Sequence, residues 1–276
     1  MTRAPVHVVR IAIAATLLAG CTPGVGIQDS SPSVVAAPAI SAAGTSPEAS
    51  ATAVPTASPP QPPAPEAPAP APQPFVLNLY EEGDFVPQYT FDWCVAASIQ
   101  MAYNLTRPNS SGTWAGREQQ NELWDMARAR SSNAFNGANP LGWAQVLNEV
   151  GVGPYEVVSI ADYNEALRTA ANALAATGRP VGLVMWSGRH AWVMSGFQSV
   201  GDPRIHPRFE VTGVNVLDPL YPYGSGQWGP SPAPNTLQSP DELARQFVVR
   251  EPRRWSSALP TGYMLVLPVA TGDGVR

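Results

Sequence analysis

The chain has 276 residues, 44% of them hydrophobic, with 31 prolines and a formal charge of −5. Its basic side chains are all arginine, and the net acidity argues against a nucleic-acid binder. Two cysteines exclude a disulfide framework, and three scattered histidines exclude a zinc cluster of short ligand spacing, so neither a metal nor any other cofactor is expected.

The first residues read MTRAPVHVVRIAIAATLLAGC. Arg3 and Arg10 make a basic start, and residues 11–18 are a short apolar run. Such a run is too short to span a bilayer, which takes about 20 residues in helix, so it reads as a secretion signal. Its end, Leu18-Ala19-Gly20-Cys21, resembles the bacterial lipobox, in which cleavage exposes a cysteine for acylation. That resemblance implies a signal peptide over 1–20, lipidation of Cys21, and an extracytoplasmic protein held at the cell membrane by its lipid.

Residues 21–74 are rich in Ala, Pro, Ser and Thr and end in PPQPPAPEAPAPAPQP. With no apolar periodicity, this segment cannot offset the entropy of ordering, and its proline density favours extended polyproline II. It reads as a disordered, semi-stiff tether for one folded domain over 75–276.

Within that domain, 75–80 reads as a strand. A buried helix follows over 94–104, with Asp92 as its N-cap and a breaker cluster beginning at Thr106-Arg107-Pro108-Asn109. Helices are expected over 116–130 and, opened by Pro140, over 140–150. A strand at 152–159 leads to an amphipathic helix over 162–177 that Gly178 ends. Strands follow at 180–186, 190–197 and 209–217, then a Pro/Gly/Ser loop over 219–239, a short helix at 240–248 and a last strand at 263–267. Helices come early and strands gather late, which predicts an α+β fold: a helical part with a central Cys94-bearing helix, packed on a C-terminal antiparallel sheet.

With Cys21 assigned to lipid, Cys94 has no intramolecular partner and is either a buried apolar cysteine or a reactive one. A cysteine in the first turn of a helix meets unpaired N–H groups and the positive end of the dipole, which favour a thiolate. The leading base is His190, at the start of a strand. If 190–197 and 209–217 pair as a hairpin around residue 204, Asp218 falls opposite His190 and on its face. A one-residue slip would exchange Asp218 for Asn215. A thiolate attacking an acyl carbon needs oxyanion donors; the Cys94 N–H is one, and Gln88, six residues earlier, can return its side-chain amide to the same point. Trp186, Trp192 and Trp228, with Tyr221 and Tyr223, are candidates to line a substrate groove, as is Trp93 beside the cysteine.

Gln88-x5-Cys94, a helix starting at the cysteine, His190 on a strand and the Asp218-Pro219 pair after a returning strand together resemble the papain-like cysteine peptidases. The segment TGRPVGLVMWSGRHAWVMSGF followed by VTGVNVLDP looks most like the compact branch that includes the double-glycine leader peptidases of bacteriocin export. The likeness covers roughly residues 85–270. It implies a papain-like fold and a hydrolase of peptide or other amide bonds, with Cys94 as nucleophile, His190 as general base and acid, Asp218 as its orienter and Gln88 as oxyanion donor. Several features depart from the pattern: Val95 stands where that branch has glycine, the Cys-Gly-[Ser/Ala]-Cys-Trp signature of papain is absent, and the 199–208 loop stretches the His190-to-Asp218 interval to 28 residues.

Two other readings stand beside this one. A surface-tethered binding module would keep the fold without the catalysis, and a transglutaminase-like acyl transferase would use the same three residue types. The expected partner is a peptide or protein substrate; oligomeric state carries no mark in the sequence.

Overall fold

The structure is a computed structural model that describes residues 71–107, 112–131, 137–252 and 259–270. The signal peptide, Cys21 and nearly all of the tether lie outside the described residues.

In chain order the elements are β1 (Pro74–Asn78), α1 (Cys94–Leu105), α2 (Arg117–Ala129), α3 (Pro140–Glu149), β2 (Tyr155–Ile160), α4 (Tyr163–Thr177), β3 (Val181–Met185), β4 (His190–Val200) and β5 (Glu210–Leu217). Then come β6 (Gly224–Ser225), β7 (Gly229–Pro230), β8 (Thr236–Gln238), α5 (Pro240–Leu243) and β9 (Tyr263–Pro268). Among the described residues, five helices accompany a seven-stranded sheet of order β2-β9-β3-β4-β5-β8, with β1 also on β4. Every pairing is antiparallel, so the fold is α+β.

The sheet is not purely C-terminal. β4 is long enough to take β3 along its first half and β1 along its second, from Asn78↔Gly196 to Pro74↔Val200. The segment over 219–239, expected to be loop, carries the β6–β7 ribbon and β8, which adds to β5. Two- and three-residue strands are too short to leave an alternating pattern in sequence.

Strand periodicity sorts the side chains to two cores. Ala191 and Val193 face α1, α2 and α3, with Leu217 and Val266 beside them. Trp192 and Met194 face the other way, onto α4 and α5, with Leu183, Val216 and Leu265. Helices cover both faces, which is why β3 and β4 read as continuous apolar runs rather than alternating ones. Trp192 is 0% exposed in the α4-side core and therefore lines no groove, contrary to the sequence expectation. α3 approaches the sheet so closely that a Cβ at Gly182 would lie 2.6 Å from the Trp143 ring.

The caps follow their residues, with one exception. Asp162 accepts the Glu165 N–H at 2.8 Å to start α4, and Gly178, with φ 62°, ends it. Asn139 caps α3, with Pro140 as its first residue. For α1 the expected Asp92 cap is not formed. The Trp93 N–H turns back to the Thr90 carbonyl, Trp93 takes the cap position without a side-chain bond, and Asp92 faces solvent.

Candidate active site

Cys94 is the first residue of α1 and is half-buried with a free thiol. Ten of the helix's twelve residues are buried, which anchors this end against the sheet. No side chain caps the N-terminus, and its first turn holds no acidic residue. Its outward N–H groups are thus open to an anion, without the opposing charge that an Asp92 cap would have brought.

The loop before Cys94 is held from two sides. The Gln88 N–H donates to the Pro219 carbonyl at 2.8 Å. Behind it, two fully buried glutamines form a chain: Gln120 donates to Gln100 at 2.7 Å and to the Pro87 carbonyl at 3.1 Å, and accepts the Tyr89 N–H at 2.8 Å. These supports were not foreseen. The available signal was Gln100, an amide inside an otherwise largely apolar helix.

His190 opens β4, with 4% of its side chain exposed. Its Nε2 pairs with Asp218 Oδ1 at 2.6 Å, and Cys94 acts on the same ring. Burial by itself lowers the imidazole pKa, but Asp218 and Cys94 outweigh it and raise the value to about 9. Asp218 is wholly buried, and its Oδ1 also accepts the Leu220 N–H at 2.9 Å, so the carboxylate is braced by its own turn.

The expected register was two residues out. β5 meets β4 as Val193↔Leu217 and Met194↔Val216, with irregularities on either side of Gly196↔Asn215 and Gln198↔Gly213. One further step sets Asp218 beside Trp192 rather than His190. Parity is unchanged by a two-residue offset, so Asp218 stays on the histidine's face, within diagonal reach. Asn215 instead lies opposite Gly196 and donates to the Asn235 carbonyl at 3.1 Å.

Gln88 reaches the same region with its amide engaged. Both N–H groups go to loop carbonyls, Thr90 at 3.0 Å and Phe91 at 2.9 Å, and Oε1 is buried without a partner among the described residues. Donation to an oxyanion therefore requires one loop bond to be released. Of the tryptophans, Trp93 packs beside Trp124, with ring centroids 6.3 Å apart, and Trp228 is half-buried against the α4-side core. Trp186 is 7% exposed and lies flat over His190, with centroids 4.1 Å apart and planes at 24°.

A cleft of about 770 Å³ opens beside these residues, between the loop before Cys94 and the turn after Asp218. Phe85, Tyr89 and Phe91 form one wall and Leu220, Tyr221 and Tyr223 the other, with no charged side chain. Neither Cys94 nor His190 lines it, nor do Trp93, Trp192 and Trp228. Among the described residues, no cluster of three metal-ligating side chains occurs, and no helix is long and apolar enough to cross a membrane.

Compared with known proteins, the chain matches no family model, no curated protein and no solved structure.

Proposed function

We propose that this chain is an extracytoplasmic thiol hydrolase, tethered to the membrane through Cys21, that cleaves peptide or related amide bonds at Cys94 on a papain-like layout. The observation that carries this reading is the buried His190, bonded to Asp218 through Nε2 and interacting with Cys94. A structural histidine needs one polar partner; one set between a buried carboxylate and the thiol of a helix's first residue has the connectivity of a general base.

In this mechanism the thiolate attacks the scissile carbonyl carbon, and the new C–S bond pushes an electron pair onto oxygen. The oxyanion meets the open N–H groups at the start of α1, with the Gln88 amide as second donor once it leaves a loop carbonyl. His190 gives its proton to the nitrogen as the C–N bond breaks, releasing the amine and leaving a thioester. It then takes a proton from water, which attacks the thioester; the C–S bond breaks, the acid departs and the thiolate returns. Asp218 holds the ring orientation throughout.

The test follows iodoacetamide alkylation of Cys94 against pH in a Cys21→Ser chain, where Cys94 is the single thiol. Alkylation in mildly acid solution that His190→Ala slows by about tenfold or more supports a Cys–His pair. An unreactive thiol, or equal rates in both proteins, leaves the tethered binding module instead. Once turnover is found, products formed with an added amine separate hydrolysis from acyl transfer.

A further inference from the structure

The turn from β3 to β4 has three successive residues in the left-handed region: Trp186 at φ 55°, Ser187 at φ 55° and Gly188 at φ 89°. Glycine takes that conformation freely, but a tryptophan does so only where its surroundings hold it there. Gln246 supplies the hold with two bonds. The Trp186 N–H donates to the Gln246 carbonyl at 2.9 Å, and the indole Nε1–H donates to its Oε1 at 2.8 Å. Gln246 is itself buried and donates to the Pro230 carbonyl at 3.3 Å. The chain thus keeps strain in its turn, four residues before His190, and latches the indole against the imidazole face.

Two ionisable groups act on that imidazole: Asp218 from the end of β5 and Cys94 from α1. Among the described residues, two arginines near the turn have partners of their own. Arg250 packs behind Gly188 with its guanidinium on the Leu259 and Pro260 carbonyls, and Arg189 reaches Gln227. The indole is a further partner of the ring, stacked on it at 4.1 Å and offering the negative face of its π-system to a cation.

We propose that Trp186 is a positioning residue of the Cys94 site: its indole face stabilises the charged His190 ring, and Gln246 is the latch that fixes it. This inference rests on the reading of Cys94 and His190 as a nucleophile–base pair.

The experiment uses the full chain with Cys21→Ser, following the His190 ring by NMR titration and Cys94 by iodoacetamide alkylation. Trp186→Leu should lower the His190 midpoint by about one pH unit, a tenfold change in its protonation equilibrium, and slow alkylation at neutral pH by about the same factor. Trp186→Phe, which keeps a flat π-face, should restore both to within about twofold. Gln246→Met keeps the backbone bond to Trp186 but removes the bond that holds its indole, and should move the midpoint about half as far as Trp186→Leu. A leucine variant that melts cooperatively yet titrates and alkylates like the parent overturns the inference. If Trp186→Leu does not fold, an unmoved midpoint in Gln246→Met does the same. A midpoint that moves as expected while Cys94 is inert in every protein supports the role of Trp186 and overturns the thiol-enzyme reading; a reactive Cys94 with an indifferent midpoint overturns this inference alone.

Discussion

The backbone N–H of Gln88 donates to the Pro219 carbonyl at 2.8 Å, joining the loop that enters Cys94 to the residue that follows Asp218. Cys94 and Asp218 lie 124 positions apart in the chain, and this bond ties their flanking segments directly together. Gln88 then holds its own loop through its side chain, on the Thr90 and Phe91 carbonyls. Gln88→Ala keeps the backbone bond and removes the two side-chain bonds along with one unpartnered oxygen. The expected cost is about 1–2 kcal/mol in urea denaturation. Under the proposed mechanism, turnover should fall by about a hundredfold through loss of an oxyanion donor.

Asp218→Ala leaves His190 buried without its carboxylate. Breaking a buried pair by removing one member costs about 3–5 kcal/mol, measurable as a lowered urea midpoint. Cys94 alkylation at neutral pH should drop by about tenfold or more, because the imidazole loses the partner that keeps it charged. Asp218→Asn should retain more stability than Asp218→Ala, since the amide oxygen can still accept from Nε2.

Stability should depend on pH through His190 in one direction. Its folded pKa, about 9, lies above the ordinary value of 6.5. The folded state therefore holds the proton more tightly than the unfolded chain, and this contribution is complete below about pH 6.5 and lost as pH rises through about 9. The loss amounts to roughly 3 kcal/mol across that window. Urea midpoints measured from weakly acid to alkaline solution should fall in the parent protein and run flatter in His190→Ala. A parent whose stability rises over that window would contradict the raised pKa.

Trp192 and Trp93 should separate core from surface. Trp192 has 0% exposure and packs with Met194 and Val216. Trp192→Ala should cost about 3–5 kcal/mol, from lost burial and the cavity left behind. Trp93, half-buried beside Trp124, should cost markedly less on the same substitution. Thermal melts of the two variants make the comparison, and equal costs would place Trp192 outside the core.

Much of the architecture was legible because it is local. The α4 boundaries are written in Asp162 and Gly178, the start of α3 in Asn139-Pro140, and the strands β3, β4 and β5 in their apolar runs. Spacing alone put Cys94 in the first turn of a helix and His190 first on a strand. The parity of a hairpin put Asp218 on the histidine's face, and survived a two-residue error in register because side chains alternate with period two.

What needed the tertiary structure depends on distant segments meeting. Whether Trp192 faces core or cleft depends on α4 covering the second face of the sheet, which no strand pattern records. That Asp92 does not cap α1 depends on a tight turn onto Thr90, and that the Gln88 amide is engaged depends on the path of its loop. The stack of Trp186 on His190 depends on Gln246, sixty residues away, holding a turn that local sterics oppose. Sequence by itself determined the longer elements and the residue types that can do thiol chemistry, because capping and periodicity act within a few residues. Which side chains are bonded, buried or open was decided only when the sheet and its helices closed, because those properties belong to contacts between segments far apart in the chain.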